Sequence, residues 1–366
     1  MYIYRLNYKE YPNNNTNNPW SIDDLSFQNF NLIVGQNTTG KTRTVNLLKN
    51  LAAIIKAQQV SLSEAEWEVE FKKNISDKSV YVKYSLEIHN KEVINEELLI
   101  DNQLRLQRSK YKAKLYSENS KDFIEIAPPN NKLVLHVRRD KKEFSYFELL
   151  VNWAETLNSF TFATRSWEIS VPQDEQKIES FLPGLEVVPV ILEKLDKSQK
   201  NNILSDLNKV GYAVETLETV RNPAGIPLIQ FKEKGIKHPF LQFSVSQGMF
   251  RTVSLLVIVE YFQKISKNAV ILVDDLCEGL DYERSAKLTE LLLTKVKKSK
   301  MQFIATTNDE FLMNEVPFEH WNVLKRTFGK VKAFNYRNSK KVFDEMKLTG
   351  FSNFNIFSSN LIDKLK

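Results

Sequence analysis

Cysteine and long apolar runs are both scarce in this chain of 366 residues. The single cysteine, Cys277, excludes an intrachain disulfide and is typical of a protein from a reducing compartment, and we interpret it as a small buried residue. The longest apolar runs, such as residues 253–259, are too short to span a bilayer. The first ten residues show no charged-then-apolar signal pattern. We therefore expect a cytoplasmic protein with no membrane partner.

Histidine is scarce as well, and the four that are present, His89, His136, His238 and His320, stand apart from one another and from the cysteine. This spacing does not resemble a metal-nuclease cluster or a Cys/His nucleophile pair. Sustained heptads, which would indicate long coiled-coil arms, are also missing. We therefore expect no second catalytic centre in the chain.

The excess of basic charge is small, with 51 basic and 45 acidic residues, so it permits contact with nucleic acid without arguing for it. One basic stretch alternates with apolar residues and consists of Arg105, Arg108, Lys110, Lys112 and Lys114. Such a face can follow a phosphate backbone. The favoured interpretation is a solvated edge strand that its lysines protect against mispairing.

Apolar periodicity predicts an α/β protein. Strands over residues 2–6 and 25–34, separated by an Asn-rich loop at 13–18, lead into a helix over 41–59. Residues 67–137 alternate as strands, 144–158 and 185–208 are predicted helices, and strand character returns over 211–235. We expect an ATPase core formed by residues 1–62 and 210–366, with 63–209 as an inserted lobe that is first strand-rich and then helical.

The last third of the chain alternates regularly between strand and helix. The pattern predicts a strand end at 243–245, helices at 249–265 and 282–296, and buried strands at 269–273 and 301–306. Short apolar strands with intervening helices are typical of a parallel sheet covered on both faces.

A phosphate-binding motif lies between the second predicted strand and the first predicted helix. The residues of the motif G-x-x-x-x-G-K-[ST], each a candidate nucleotide contact, are Gly35, Gln36, Asn37, Thr38, Thr39, Gly40, Lys41 and Thr42, and Arg43 follows them. The glycines allow the backbone N–H groups to face phosphates at a helix N-terminus. We expect Lys41 to reach the β- and γ-phosphates and the Thr42 hydroxyl to bind Mg²⁺.

Two carboxylates end the apolar strand at 269–273. Phosphoryl transfer to water needs a carboxylate near the metal and a second group that orients the attacking water. We predict that Asp274 has the first role and Asp275 the second. The alternative, a pair of solvated aspartates at a strand end, is common in α/β proteins but is less favoured in a chain that also contains a phosphate-binding motif.

Together with these motifs, a Ser-x-Gly sequence before the apolar helix resembles the signature of ABC-type ATPases. In that family the signature contacts the γ-phosphate held by the opposite subunit, which implies this role for Ser246 and Gly248. The resemblance also implies a D-loop with Asp281 at the subunit interface and a switch position at Asn308, where the family usually has histidine. Without the resemblance, both Ser-x-Gly and Asn-Asp are ordinary helix caps.

The chain is most similar to the soluble, AAA-like and SMC-related ABC-type ATPases around the overcoming-lysogenization-defect proteins, as found in bacterial anti-phage defence. The motifs cover residues 1–60 and about 235–325. Three positions depart from the family: Asp275 replaces the usual glutamate, Leu276 a frequent proline, and Asn308 the histidine. A Q-loop glutamine is not evident, and Gln103 and Gln107 are the only guesses.

The resemblance implies a P-loop NTPase of ABC topology that binds ATP and Mg²⁺ and dimerises head to tail, or assembles further. We expect slow hydrolysis, with Lys41, Asp275 and Asn308 as catalytic residues, and a switch that controls a separate effector, a nuclease or toxin, in anti-phage defence. Alternatives are a DNA-repair or chromosome-associated ATPase, a transporter's nucleotide-binding subunit, which the long insert disfavours, and a non-hydrolysing ATP-bound scaffold.

Overall fold

The computed structural model describes residues 1–11, 19–57, 64–75, 78–161, 187–265 and 268–359. Within these residues the chain divides into two compact units. The first consists of Met1–Leu157 and Phe318–Leu348, and the second of Asn158–Pro317 and residues 349–359. The Asn-rich loop at 13–18 and the first two residues of the helix predicted at 185–208 lie outside the described residues.

Ten helices are present in the described part of the chain. They are α1 (Lys41–Lys56), α2 (Val134–Val137), α3 (Phe147–Glu155), α4 (Val188–Lys194), α5 (Lys197–Val210), α6 (Gln247–Lys264), α7 (Tyr282–Lys297), α8 (Glu310–Glu315), α9 (Lys340–Lys347) and α10 (Asn353–Ser358). Among these residues, none of the helices is long and apolar enough to cross a membrane.

Seventeen strands accompany these helices in the same residues. They are β1 (Tyr2–Glu10), β2 (Ser21–Ser26), β3 (Phe30–Val34), β4 (Ala65–Ile75), β5 (Lys78–His89), β6 (Glu92–Ile100), β7 (Gln103–Ser109), β8 (Lys112–Tyr116), β9 (Phe123–Ile126), β10 (Leu157–Thr161), β11 (Val214–Arg221), β12 (Pro227–Glu233), β13 (Phe240–Leu241), β14 (Val270–Asp274), β15 (Gln302–Thr307), β16 (Trp321–Thr327) and β17 (Lys330–Asn335).

The first unit is built on a mixed sheet in the order β3-β16-β17-β2-β1-β4-β5-β6-β7-β8-β9. Strand β16 runs parallel to β3, with Val323 beside Val34, and β17 runs parallel to β2. From β2 to β9 along this order the neighbours are antiparallel, and from β4 onward they are successive hairpin partners. Because β16 is parallel to β3 and continues past it, its last residues extend beside the loop that follows Val34.

The second unit has a parallel pair, β14 and β15, next to β10, and a separate three-stranded sheet β11-β12-β13. Every residue of β14 and β15 is buried, as is typical of parallel strands covered on both faces. Helix α6 is buried along almost its whole length and packs against α4 and α5. Lys295 of α7 forms ion pairs with Asp206 of α5 and Glu260 of α6, at 2.8 and 3.0 Å, which join the three helices.

Most predicted elements are confirmed, including the helix after the phosphate loop and the strands and helices between 247 and 307. Five predictions are wrong. The strand predicted over 25–34 is interrupted between β2 and β3, and the helix predicted over 185–208 is divided into α4 and α5, because Asp196 caps the start of α5. Residues 242–244 form a 3₁₀ turn and not a strand end, because the buried Gln242 side chain accepts a hydrogen bond from Ile229 N. Residues 134–137 form helix α2, and the predicted helix at 144–158 ends at Glu155, before β10 begins.

The inserted lobe predicted for residues 63–209 stays a prediction. Its strand-rich first part is seen as β4 to β9, all of which belong to the first unit. Helices α4 and α5, at the end of the predicted insert, belong to the second unit.

Candidate functional site

The phosphate loop of the first unit is tightly wound between β3 and α1. Gly40 has a left-handed φ of 107°, and a Cβ there would lie 2.8 Å from Cζ2 of Trp20. A Cβ at Gly35 would lie 2.4 Å from the Thr39 hydroxyl oxygen. Both positions therefore require glycine, one for conformation and space and the other for space alone.

Hydrogen bonds inside this loop hold its shape. The Thr39 hydroxyl donates to Gln36 O at 2.8 Å, and the Lys41 ammonium donates to Gly35 O at 2.7 Å and to Gln36 O at 3.2 Å. Lys41 and Thr39 are buried, whereas Gln36, Asn37 and Thr38 are exposed. The loop thus presents its outer backbone to solvent while its lysine lies against it.

The start of α1 fits a triphosphate. Its N-cap, Gly40, provides no side-chain cap, and its first turn contains no acidic residue. The N–H groups at a helix start and the positive end of the helix dipole favour anions. Thr42, in that first turn, is exposed, as a residue that contacts a metal ion carried by the phosphates would need to be.

Arg43, also predicted to contact nucleotide, makes contacts with the protein instead. Its guanidinium lies 4.5 Å from the ring centre of Trp20 and forms an ion pair with Glu10. Since Trp20 is buried and abuts Gly40, Arg43 covers the indole that supports the loop. A direct nucleotide contact by its side chain stays a prediction.

The two aspartates of the second unit have different environments. Asp274 is the last residue of β14 and is 9% exposed, and its Oδ1 accepts a hydrogen bond of 2.6 Å from the Thr306 hydroxyl of β15. Asp275 is half-buried, has a left-handed φ of 53°, and donates its backbone N–H to the same hydroxyl oxygen at 2.9 Å. Thr306 therefore fixes both residues at the end of the strand.

The Ser-x-Gly sequence opens helix α6. Ser246 is its N-cap, and the Ser246 hydroxyl accepts a hydrogen bond of 3.2 Å from Met249 N. A Cβ at Gly248 would lie 2.6 Å from Gly279 O, so glycine permits the close approach between the start of α6 and the segment after β14. Arg251 of α6 donates to the carbonyl of Glu278 and pairs with its carboxylate, which reinforces that contact.

A polar cavity of about 360 Å³ brings the predicted signature and D-loop residues together. Its lining includes Ser246, Gly248, Asp281, Arg284 and Tyr212. Asp281 caps α7 by accepting from Arg284 N at 3.0 Å, and its carboxylate pairs with the Arg284 guanidinium, which stacks on Tyr212. The hydrogen bond from the Arg284 backbone, followed by that side-chain contact, lowers the Asp281 pKa below its usual value, so the carboxylate is charged at neutral pH.

At the predicted switch position, Asn308 follows β15 with an exposed side chain. The next residue, Asp309, caps α8 by accepting from Leu312 N at 2.7 Å, as the cap interpretation expected. Burial raises the pKa of Asp309 above its usual value, and the hydrogen bonds from the helix start oppose this shift. The catalytic role of Asn308 stays a prediction.

Two other predictions are wrong. Gln103 and Gln107 lie on β7, which seven strands separate from β3 within the sheet of the first unit, so neither reaches the phosphate loop. In the basic stretch, β7 and β8 are interior strands and not edges, since β9 lies outside them. Arg108 is buried, 4.0 Å from Glu96, and donates to the carbonyls of Lys110, Pro129 and Lys132, so it cannot follow a nucleic acid backbone.

Sequence reasoning missed the contacts that position the motifs. The hydroxyl of Thr306, at the end of the strand beside the two aspartates, was a signal that the sequence offered. Arg326 of β16, which donates to Thr38 O at 2.8 Å, lies 288 positions away from that residue and gave no signal. No group of three or more His, Cys, Asp or Glu side chains that could hold a metal ion occurs among the described residues.

The fold is the α/β fold of ABC-type ATPases. Two solved structures match it over most of the chain, and both contain the head domain of an SMC protein. One is a head bound to the C-terminal winged-helix domain of ScpA, with 14% identity, coverage of 93% of this chain and 100% of that chain, and a TM-score of 0.53. The other, derived from Pyrococcus furiosus, is a head with an extended coiled coil bound to the C-terminal domain of ScpA, with 12% identity, coverage of 94% and 99%, and a TM-score of 0.51.

Identities this low establish the fold alone. The sequence matches no protein-family model and no curated protein. Function therefore has to be argued from the residues of the site.

Proposed function

We propose that this chain binds Mg-ATP and hydrolyses it slowly, as an ABC-type ATPase whose nucleotide sites are completed when two copies meet head to tail. The observation that carries the proposal is the loop before α1, which has two obligatory glycines, an uncapped helix start and a lysine whose ammonium donates to a carbonyl of the same loop. A triphosphate can replace those carbonyls as the partner of the Lys41 ammonium, because a charged acceptor makes the stronger hydrogen bond.

In this reaction Lys41 and the helix start would bind the phosphates, and Thr42 and Asp274 would hold the magnesium ion. The bound metal ion would neutralise charge on the phosphate oxygens. Asp275 orients the water. Ser246, Gly248 and Asp281 act from the neighbouring copy. This last role is supported by their grouping in one polar cavity, which a γ-phosphate of the opposite copy would enter.

Slow turnover follows from two side chains. The Asp275 carboxylate is one methylene shorter than the glutamate of the family, so it holds the attacking water less closely. Asn308 donates a hydrogen bond but cannot carry a proton at neutral pH. Both features suit a switch, in which the nucleotide state sets the dimer population.

As the output of this switch, we propose control of a separate effector, a nuclease or toxin, in anti-phage defence. One effector should co-purify at fixed stoichiometry, and ATP should change its release from wild type but not from a hydrolysis-deficient variant. The second candidate, a chromosome-associated ATPase, is favoured by the shared fold with SMC heads. That candidate requires ATP-stimulated DNA binding that weakens steeply with salt.

The decisive experiment compares mass in solution and phosphate release for wild type and Asp275→Asn, with and without Mg-ATP. We expect the variant to bind ATP, to lose hydrolysis and to accumulate as a dimer or larger assembly. Glu125→Gln is the matched control, since this exposed carboxylate pairs only with Lys114 among the contacts described on β8 and β9, at the far edge of the first unit's sheet. A wild type whose mass ignores nucleotide and that releases no phosphate would leave only a structural ATP site or none.

A further inference from the structure

Phe328 lies at the tip of the β16–β17 hairpin with its ring almost fully in solvent, at 93% exposure. It also has a left-handed φ of 57°. Non-glycine residues adopt this conformation at a cost of about 1 kcal/mol or more, and exposure of a phenyl ring has no benefit for folding. The position is therefore unfavourable for phenylalanine on two separate grounds.

The hairpin tip is fixed beside the phosphate loop. The Arg326 guanidinium donates through Nε to Phe328 O at 2.5 Å and through its terminal nitrogen to Thr38 O at 2.8 Å. One guanidinium thus joins both carbonyls, which places them within about 8 Å of each other, since each hydrogen bond spans about 3 Å. On the other side of the tip, Ser21 N donates to Gly329 O at 2.9 Å.

Close packing also prevents the tip from shifting. A Cβ at Gly329 would lie 2.1 Å from Pro19 O, so the turn is pressed against the segment that leads into β2. The Phe328 ring therefore projects into solvent from a backbone whose position relative to Thr38 is set on both sides.

We propose that Phe328 stacks against the base of the nucleotide whose phosphates the loop binds. A triphosphate held at the start of α1 projects its base beyond the loop, and a fixed, solvent-exposed ring next to that loop offers a flat apolar face to it. Aromatic stacking suits any purine or pyrimidine base, and the nearby exposed cations Arg326 and Lys330 suit the phosphates. The inference rests on the proposed ATP site and assigns its base-binding residue.

The surroundings of the ring favour a base over a protein partner. Its neighbours along the hairpin, Arg326, Thr327 and Lys330, are polar and exposed, whereas Leu324 and Val331 are buried. Among the described residues the tip therefore offers one isolated ring and not a contiguous apolar patch of the size at which proteins dock. A single exposed ring offers an apolar face large enough to stack on a single base.

The test compares the binding of ATP and of inorganic tripolyphosphate to wild type, Phe328→Ala and Phe328→Trp by calorimetry. Phe328→Ala should weaken ATP binding about 5- to 150-fold, the equivalent of about 1–3 kcal/mol of stacking, and leave tripolyphosphate binding unchanged. Phe328→Trp should retain ATP affinity. Phe351→Ala, the same change at another exposed phenylalanine, is the matched control.

Each alternative has a distinct outcome. ATP affinity equal to wild type in Phe328→Ala overturns the assignment, and so does an equal loss for ATP and tripolyphosphate, which indicates a distorted loop. Loss of nucleotide-dependent dimer mass with unchanged ATP affinity of the monomer means that the ring contacts a second copy instead. A wild type that binds ATP no better than tripolyphosphate overturns only this inference, whereas a wild type that binds neither overturns the proposed function as well.

Discussion

Thr306→Val tests whether one hydroxyl positions both proposed catalytic aspartates. Valine keeps the shape of this fully buried side chain and removes its hydroxyl, which donates to Asp274 Oδ1 at 2.6 Å and accepts from Asp275 N at 2.9 Å. Hydrogen bonds to a charged group contribute about 1.5–3 kcal/mol and neutral ones about 0.5–1.5 kcal/mol. The two bonds together are therefore expected to contribute about 2–4.5 kcal/mol.

Not all of this energy appears as lost stability, because Asp275 is half-buried and water can replace part of the hydroxyl. We expect a local loss of about 2 kcal/mol, which corresponds to about 30-fold faster hydrogen exchange of the Asp275 amide. Phosphate release should fall in parallel, since both carboxylates lose their fixed orientation. Exchange followed by mass spectrometry, on a peptide that contains residue 275, measures the first effect.

Thr306→Ser separates the hydroxyl from the methyl group. The serine variant keeps both hydrogen bonds and loses one buried methyl, so its Asp275 exchange and its phosphate release should stay near the wild-type values. The reasoning is refuted if the valine variant exchanges and turns over like wild type, or if serine is as damaging as valine.

Three further predictions concern single contacts. Gly248→Ala should destabilise the chain by about 1–3 kcal/mol, because its Cβ would lie 2.6 Å from a carbonyl oxygen, while Gln247→Ala at the exposed neighbour should have little effect in the same melting experiment. Asp281→Asn should keep the α7 cap and melt near the wild-type temperature, whereas Asp281→Ala should lower the free energy of unfolding by about 1 kcal/mol. Equal dimer formation by wild type and both variants would contradict a role for Asp281 at the interface. Burial raises the pKa of Glu96 from 4.5 to about 7, so the folded state binds the Glu96 proton more tightly than the unfolded state does, and the free energy of unfolding should fall as pH rises between these values. Glu96→Gln should flatten this pH dependence in denaturant titrations. An unchanged pH dependence would mean that other groups cause it.

Elements that depend on residues close in the sequence could be predicted, whereas elements that depend on distant contacts could not. The phosphate loop and β14, β15, α6 and α7 were predicted because their signals are local: a contiguous motif, or an apolar period that matches one element. Helix α2 was mistaken for a strand because Glu96, 38 positions earlier, accepts a hydrogen bond from Val134 N and so satisfies the first turn of the helix. No local pattern reports such a partner.

The same limit applies to the site. The nature of the candidate residues was readable, but their supports were not: Trp20 beneath Gly40, Thr306 beside the two aspartates, and Arg326 on the loop carbonyl. Strands β16 and β17, whose hairpin includes Arg326 and Phe328, follow the last recognised motif and were not predicted at all. Residues outside any recognised motif can thus still supply the contacts that hold a motif in place.

The left-handed backbone at Asp275 limits which residues this position can accept. Among residues other than glycine, asparagine and aspartate enter this conformation most readily, because their short polar side chains can bond locally, whereas a longer side chain gains nothing there. A change of Asp275 to the longer glutamate would therefore need a second change that relieves the backbone. The proposed slow turnover would then be a condition that single substitutions do not readily leave, since the residues that the backbone accepts in place of aspartate, asparagine and glycine, remove the carboxylate altogether.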